Sequence, residues 1–196
     1  MVRIAIVGYG NLGKACEKIA CTQDGFQLVG IFTRREPSSM KSPFGTAFYK
    51  QSDIENFKGK IDVLALCTGS ANDLTDLGMR CAASFNTVDS FDTHARMRDY
   101  VTEMQRITTE NGNLSFIGIG WDPGLFSLMR AVFGGVLPDG VSQTFWGRGV
   151  SQGHSEAVRR IEGVVKGIQY TVPKQEALDA ARSGKGAALT TRDNHS

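Results

Sequence analysis

Residues 4–13 read IAIVGYGNLG, and this stretch decides how the rest of the chain is understood. A short run of β-favouring apolar residues ends at Gly8, as expected of a strand buried on both faces of a parallel sheet. Gly8, Gly10 and Gly13 then follow in G-x-G-x-x-G spacing and open a helical pattern over 12–21, with Leu12, Ala15, Cys16 and Ile19 at helical intervals. In a dinucleotide-binding turn each glycine has its own reason. The first permits the tight turn, the second lets backbone amides approach a pyrophosphate, and the third lets helix pack on strand. The helix N-terminus adds partial positive charge for the phosphates. Such a turn therefore predicts cofactor contact along Gly8, Tyr9, Gly10, Asn11, Leu12 and Gly13.

In this fingerprint an acid stands about 20 residues further on and accepts a hydrogen bond from a ribose 2′-hydroxyl. Here the second strand, FQLVGIF at 26–32, is followed by Thr33, Arg34 and Arg35. A carboxylate would repel a 2′-phosphate, whereas a guanidinium forms bidentate, charge-assisted bonds to one. Thr33 adds a hydroxyl. The missing acid thus favours NADP over NAD as the cofactor.

Further along, IDVLALC at 61–67 is a third strand, followed by a helical pattern over 71–84. NTVDSF at 86–91 is a short strand, 93–110 a long helix, and NLSFIGIG at 113–120 a last strand. Strands alternating with helices indicate a Rossmann-type doubly wound parallel sheet over 1–120. From 121 onward the pattern changes. WDPGLFSLMRAVFGGVL reads as a turn opening a helix, VSQTFWGRGVSQGHS as a strand and a glycine-rich loop, and 174–182 as a short helix. Residues 121–196 read as the start of an α+β substrate-binding or dimerisation domain.

The totals set limits. The 196 residues carry 22 basic and 20 acidic side chains, a net charge of +2, too small for an electrostatic footprint on nucleic acid or an anionic membrane. The four cysteines, Cys16, Cys21, Cys67 and Cys81, show no metal-ligand spacing. The apolar start is too short for a signal peptide, and no stretch is long enough to span a membrane. A reducing cytoplasm is the expected setting.

LCTGSANDL, at 66–74, lies past the third strand, where it can line a dinucleotide cleft or cap a helix through Ser70. VDSFDTH at 88–94 and GWDPG at 120–124 place acids after two successive strands on one edge of the sheet. Asp89 or Asp92 there suits a helix cap, and Asp122 before Pro123 a turn. Acids converging on the cleft mouth would also suit an ammonium-bearing substrate. His154 carries no case for a base.

The cofactor turn with TRR, together with LCTGSANDL, VDSFDTH, GWDPGLFS, TFWGRGVSQGHSEAVRRI and IQYTVP, resembles the meso-diaminopimelate dehydrogenase family, in order and along the whole chain. The resemblance implies a homodimeric enzyme of lysine and peptidoglycan precursor metabolism. Its reaction is the reversible, NADP-dependent oxidative deamination of meso-2,6-diaminopimelate at the D-centre. The products are L-2-amino-6-oxopimelate, which cyclises to tetrahydrodipicolinate, ammonia and NADPH. Carried over by position, Cys67, Thr68, Gly69, Ser70 and Ala71 would run beside the cofactor. Asp92 and Asp122 would hold substrate amino groups, Trp121 and Trp146 would wall the pocket, and Gln152, Gly153 and Thr171 would contact substrate. No residue stands out as the base. The family continues past position 196 with an arginine, a histidine and an asparagine that hold the substrate. The alternative expectation is therefore a catalytically silent NADP-binding or dimerisation module.

Overall fold

A computed structural model describes residues 1–69, 73–140 and 148–184. The chain divides into two compact units, Met1–Val136 and Leu137–Ser196, so the helix at 125–136 belongs to the first.

The first unit is built on strands β1 (Val2–Val7), β2 (Phe26–Thr33), β3 (Phe48–Lys50), β4 (Val63–Leu66), β5 (Asn86–Asp89) and β6 (Ser115–Phe116). They form one sheet in the order β3-β2-β1-β4-β5-β6, with every pairing parallel. This is the doubly wound order, and it reverses direction between β1 and β4, where such sheets bind their ligands. β1 is paired on both sides, and Ala5, Ile6 and Val7 have no exposed surface. Burial on both faces explains its unbroken apolar run. The period of two assigns Ala5 and Val7 to one core, with Phe32, Leu64, Leu66, Leu74 and Met104, and Ile6 to the other, with Tyr9, Ile31 and Ala65.

Four helices accompany the sheet: α1 (Asn11–Thr22), α2 (Leu74–Ala82), α3 (Met97–Asn111) and α4 (Leu125–Val136). α3 ends where Gly112, at φ 69°, takes the left-handed conformation and returns its N–H to Thr108 O. α1 is a helix as expected, but its inward face differs from the apolar one in the sequence. Gly13, Glu17 and Ala20 are buried, while Leu12 and Ile19 are 45% and 55% exposed. The close approach of Gly13 to the preceding turn sets that rotation. α2 begins at Leu74, with Asp73 before it and no side-chain cap, and the expected start at 71 lies outside the described residues. The last strand is shorter than 113–120 because Gly118, at φ 68°, turns the chain after Phe116. β3 lies in a segment the sequence left unassigned.

In the second unit, β7 (Gly149–Val150) pairs antiparallel with β8 (Tyr170–Thr171), and the helices are α5 (Gln152–Arg159) and α6 (Gln175–Arg182). The expected glycine-rich loop after Val150 is instead α5. Gly153 is accommodated inside a helix whose N-cap is Ser151. The strand expected over 141–147 lies outside the described residues. No helix among the described residues is long and apolar enough to cross a membrane.

The core assignment predicts unequal costs for the same truncation. Leu64→Ala, at a position with no exposed surface, should lower unfolding free energy in urea by about 2–5 kcal/mol. Leu128→Ala, on the exposed α4, should cost less than about 1 kcal/mol.

Candidate functional site

The turn between β1 and α1 is wedged. Gly8 sits at φ +94°, and a Cβ there would stand 2.7 Å from Cys67 O and 2.9 Å from Thr68 Cγ2. A Cβ on Gly13 would collide with Gly8 O. A Cβ on Gly10 would meet nothing within 4 Å. Two glycines are thus required by close packing, and the second leaves backbone facing open space, which is the division of labour a pyrophosphate cradle needs. Gly10 is also the N-cap of α1 and supplies no side-chain cap. The amides of Asn11, Leu12 and Gly13 are therefore first-turn donors outside the helix's own ladder, disposed for an anion.

Tyr9 is buried, packed edge-on against Phe48 at 5.0 Å between centroids. Its hydroxyl donates to Glu17 Oε2 at 2.5 Å, and Ser42 Oγ donates to the other carboxylate oxygen. Burial alone would raise the Glu17 pKa, but hydrogen bonds from Ser42, Thr46 and Tyr9 outweigh it and hold the carboxyl below its usual range. Burial and the Glu17 carboxylate push the Tyr9 hydroxyl up to about 12. A buried carboxylate thus fixes the inner side of the turn.

The two arginines after β2 are held differently. Arg35 Nη2 donates to Tyr9 O at 2.8 Å, and its backbone N–H to Thr33 Oγ1 at 3.1 Å. Arg34 reaches away to Asp73, with Nη1–Oδ1 and Nη2–Oδ2 both 2.9 Å. Thr33, Arg34 and Arg35 line one side of a cavity of about 530 Å³, and Ile54, Leu77 and Arg80 line another part of it. Its charged lining is Arg34, Arg35, Lys50 and Arg80 against Glu36 and Glu55, a cationic excess that suits a phosphorylated nucleoside. Asp73 and Arg80 were not among the expected site residues. Asp73 is the penultimate residue of the motif LCTGSANDL, but its charge argues against a phosphate site.

On the opposite flank, Cys67 continues from β4 and Thr68 follows it. Thr68 Oγ1 is buried and has no hydrogen-bond partner among the described residues, leaving a polar atom suited to a ligand. Gly69 O accepts from the N–H groups of Asp73 and Leu74, anchoring the start of α2. Ser70, expected as a cap or cofactor contact, and Ala71 lie outside the described residues. Cys67 Sγ lies 3.7 Å from Cys16 Sγ. No cluster of metal-ligating groups occurs among the described residues.

The two acid-bearing segments do adjoin. Ile119 N–H donates to Asp89 O at 2.8 Å. Asp89, one of the two residues suited to a helix cap, is instead buried and accepts from Phe91 N, Gly118 N and Tyr100 Oη. It locks β5 to the following chain. Asp92 is exposed, and the single-turn helix after it is capped by no side chain. Trp121 is exposed and rests on Phe126. Asp122 is exposed and paired with Arg130 at 2.6 Å, which holds its carboxyl below the usual range. In the second unit, Gln152 and Gly153 open α5, and Thr171 ends β8. His154 Nδ1 is 2.7 Å from Ser151 Oγ, a local contact at the helix start. Trp146 lies outside the described residues.

Glu17→Gln tests the inner network. It should cost about 1–3 kcal/mol of stability at neutral pH, as a buried charged acceptor is lost. Because the folded-state pKa of Glu17 is depressed, the wild-type advantage is full above the unfolded carboxylate value of about 4.3 and fades as pH falls through the folded one. Urea titrations at stepped pH read the gap.

Comparison with known proteins finds strong similarity to diaminopimelate dehydrogenases. Residues 120–196 match the model of the diaminopimelic acid dehydrogenase C-terminal domain. A meso-diaminopimelate D-dehydrogenase of Lysinibacillus sphaericus is 47% identical over 194 residues, covering 99% of this chain and 60% of that protein. A solved meso-diaminopimelate dehydrogenase mutant of Clostridium tetani E88, with DAP, superposes with TM-score 0.88 at 48% identity, covering 100% of this chain and 60% of the other. An engineered D-amino acid dehydrogenase bound to NADP+ gives TM-score 0.87 at 40% identity, covering 99% and 60%. The chain is related over essentially its whole length to the meso-diaminopimelate D-dehydrogenases, and it spans about 60% of the length of those relatives.

Proposed function

We propose that this chain carries the NADP-binding site and part of the substrate site of a meso-diaminopimelate D-dehydrogenase. The reaction would be reversible oxidative deamination at the D-centre of meso-2,6-diaminopimelate. The observation that carries this reading is the wedged turn at Gly8–Gly13 flanked by Arg34 and Arg35 where an acid would select NAD. The relative whose structure holds NADP+ supports the cofactor, and the one solved with DAP supports the substrate.

In this reading the first-turn amides of α1 hold the pyrophosphate, and Thr33, Arg34 and Arg35 hold the 2′-phosphate. Thr68 and the residues after it line the nicotinamide side. When bound, the nicotinamide accepts hydride from the carbon that carries the departing nitrogen. The chain's part is to position that carbon and keep water away. Asp92 and Asp122 would hold substrate ammonium groups, with Trp121 and Trp146 walling the pocket and Gln152, Gly153 and Thr171 contacting the substrate. Residues 1–120 would form the cofactor domain and 121–196 part of a substrate-binding and dimerisation domain of a cytoplasmic homodimer. A second reading, a module that binds NADP without turnover, is favoured by one observation. The Asp122 carboxylate is already committed to Arg130.

Initial rates of NADP and NAD reduction with meso-diaminopimelate decide between them. NADPH formation with NADP, and little with NAD, is the expected result; cofactor binding without turnover supports the module. Replacing Arg34 and Arg35 together with alanine should weaken NADP binding at least tenfold, as loss of charge-assisted bonds implies, and leave NAD binding nearly unchanged. Equal losses would remove the 2′-phosphate role. Where turnover is present, Asp122→Asn should raise KM for diaminopimelate about tenfold or more.

A further inference from the structure

Arg34 and Asp73 stand on opposite flanks of the turn. Arg34 follows β2, Asp73 precedes α2, and β1 runs between β2 and β4. Their two parallel contacts, both 2.9 Å, use both terminal guanidinium nitrogens on both carboxylate oxygens. A guanidinium offers this same fork to a phosphate. The Arg34 side chain is 67% exposed, so a ligand can reach it, while that of Asp73 is 33% exposed. Arg35 is held by Tyr9 O, a neutral acceptor. The two arginines are therefore not equivalent toward an anion. Arg35 keeps its net charge, whereas that of Arg34 is neutralised by a carboxylate.

We propose that Asp73 is a specificity-setting residue, a carboxylate that clamps Arg34 across the turn and must release it when a 2′-phosphate binds. The inference rests on the reading of Arg34 as a 2′-phosphate ligand. Binding a 2′-phosphorylated nucleotide exchanges one anionic partner of Arg34 for another, so Asp73 subtracts from its affinity. A nucleotide with a free 2′-hydroxyl has no such exchange to make and is indifferent to Asp73. Asp73 thereby reduces the margin between the two nucleotides, which the arginines alone would make larger.

The test uses calorimetric titration of the whole chain with adenosine 2′,5′-bisphosphate and with adenosine 5′-monophosphate. Asp73→Asn should bind the bisphosphate about two- to fivefold tighter, the range of an exposed ion pair, with the monophosphate unchanged. In an Arg34→Ala background the same substitution should have no effect, because the guanidinium that carboxylate and phosphate compete for is gone. Unchanged or weaker bisphosphate binding in Asp73→Asn would overturn the proposal. So would equal tightening with and without Arg34, which would reveal only a general charge effect. If Arg34→Ala leaves the preference for the bisphosphate intact, the underlying role of Arg34 is wrong. If that preference is lost but Asp73→Asn changes nothing, the clamp alone is wrong. Asparagine is also a favoured residue at a helix start. Should that variant melt early, Asp73→Ser, which likewise removes the charge, replaces it in the same titrations.

Discussion

The backbone of Gly8 lies so close to Cys67 O and Thr68 on one side, and to Gly13 on the other, that no larger side chain fits at either glycine. This contact sets the spacing of β1, β4 and α1 at the point where the sheet reverses direction. It brings the amides of the first turn of α1 to the open side of Gly10, and it determines which face of α1 turns inward. Glu17 is buried as a consequence, and Tyr9, Ser42 and Thr46 supply the hydrogen bonds that keep its charge tolerable there. The open side of the turn and the acidic knot beneath it are two results of one packing constraint.

Electrostatics then divides the site. The turn's carbonyl at Tyr9 orients Arg35 toward the cradle, while Asp73 draws Arg34 across to α2. Both arginines line a cavity whose other walls include Lys50, Glu55 and Arg80 and the apolar side chains of Ile54 and Leu77. A small net charge over the whole chain is compatible with this, because the positive potential needed for a phosphate is built locally from a few side chains and helix amides.

Much of this was legible in the sequence. β1, β2 and β4 are apolar runs long enough to be unambiguous, and the three glycines fall at the one place where strand, turn and helix meet. Elements that depend on tertiary contacts were not legible. β3 is three residues long and forms only because it pairs with the end of β2. The inward face of α1 is led by Gly13 and a charged Glu17, so an apolar-stripe reading selects the wrong side. α5 was hidden because glycine and serine near Gln152 resemble a loop. Asp89 looked like a cap, but its three partners include Gly118 and Tyr100, which the fold alone brings to it. Asp73 carries no signal within its motif, since its partner lies 39 positions away.

At the β5–β6 edge of the sheet, Ile119 N–H donates to Asp89 O, so the chain segments after the two strands adjoin, and Arg130 holds the Asp122 carboxyl below its usual range. The proposed function stands or falls on the cofactor. The most direct test is the dissociation constants of NADP and NAD for the wild-type chain, measured by calorimetry under identical salt. Binding of NADP at least tenfold tighter than NAD, as charge-assisted bonds to a 2′-phosphate imply, is the predicted result. Equal affinities, or a preference for NAD, would contradict it.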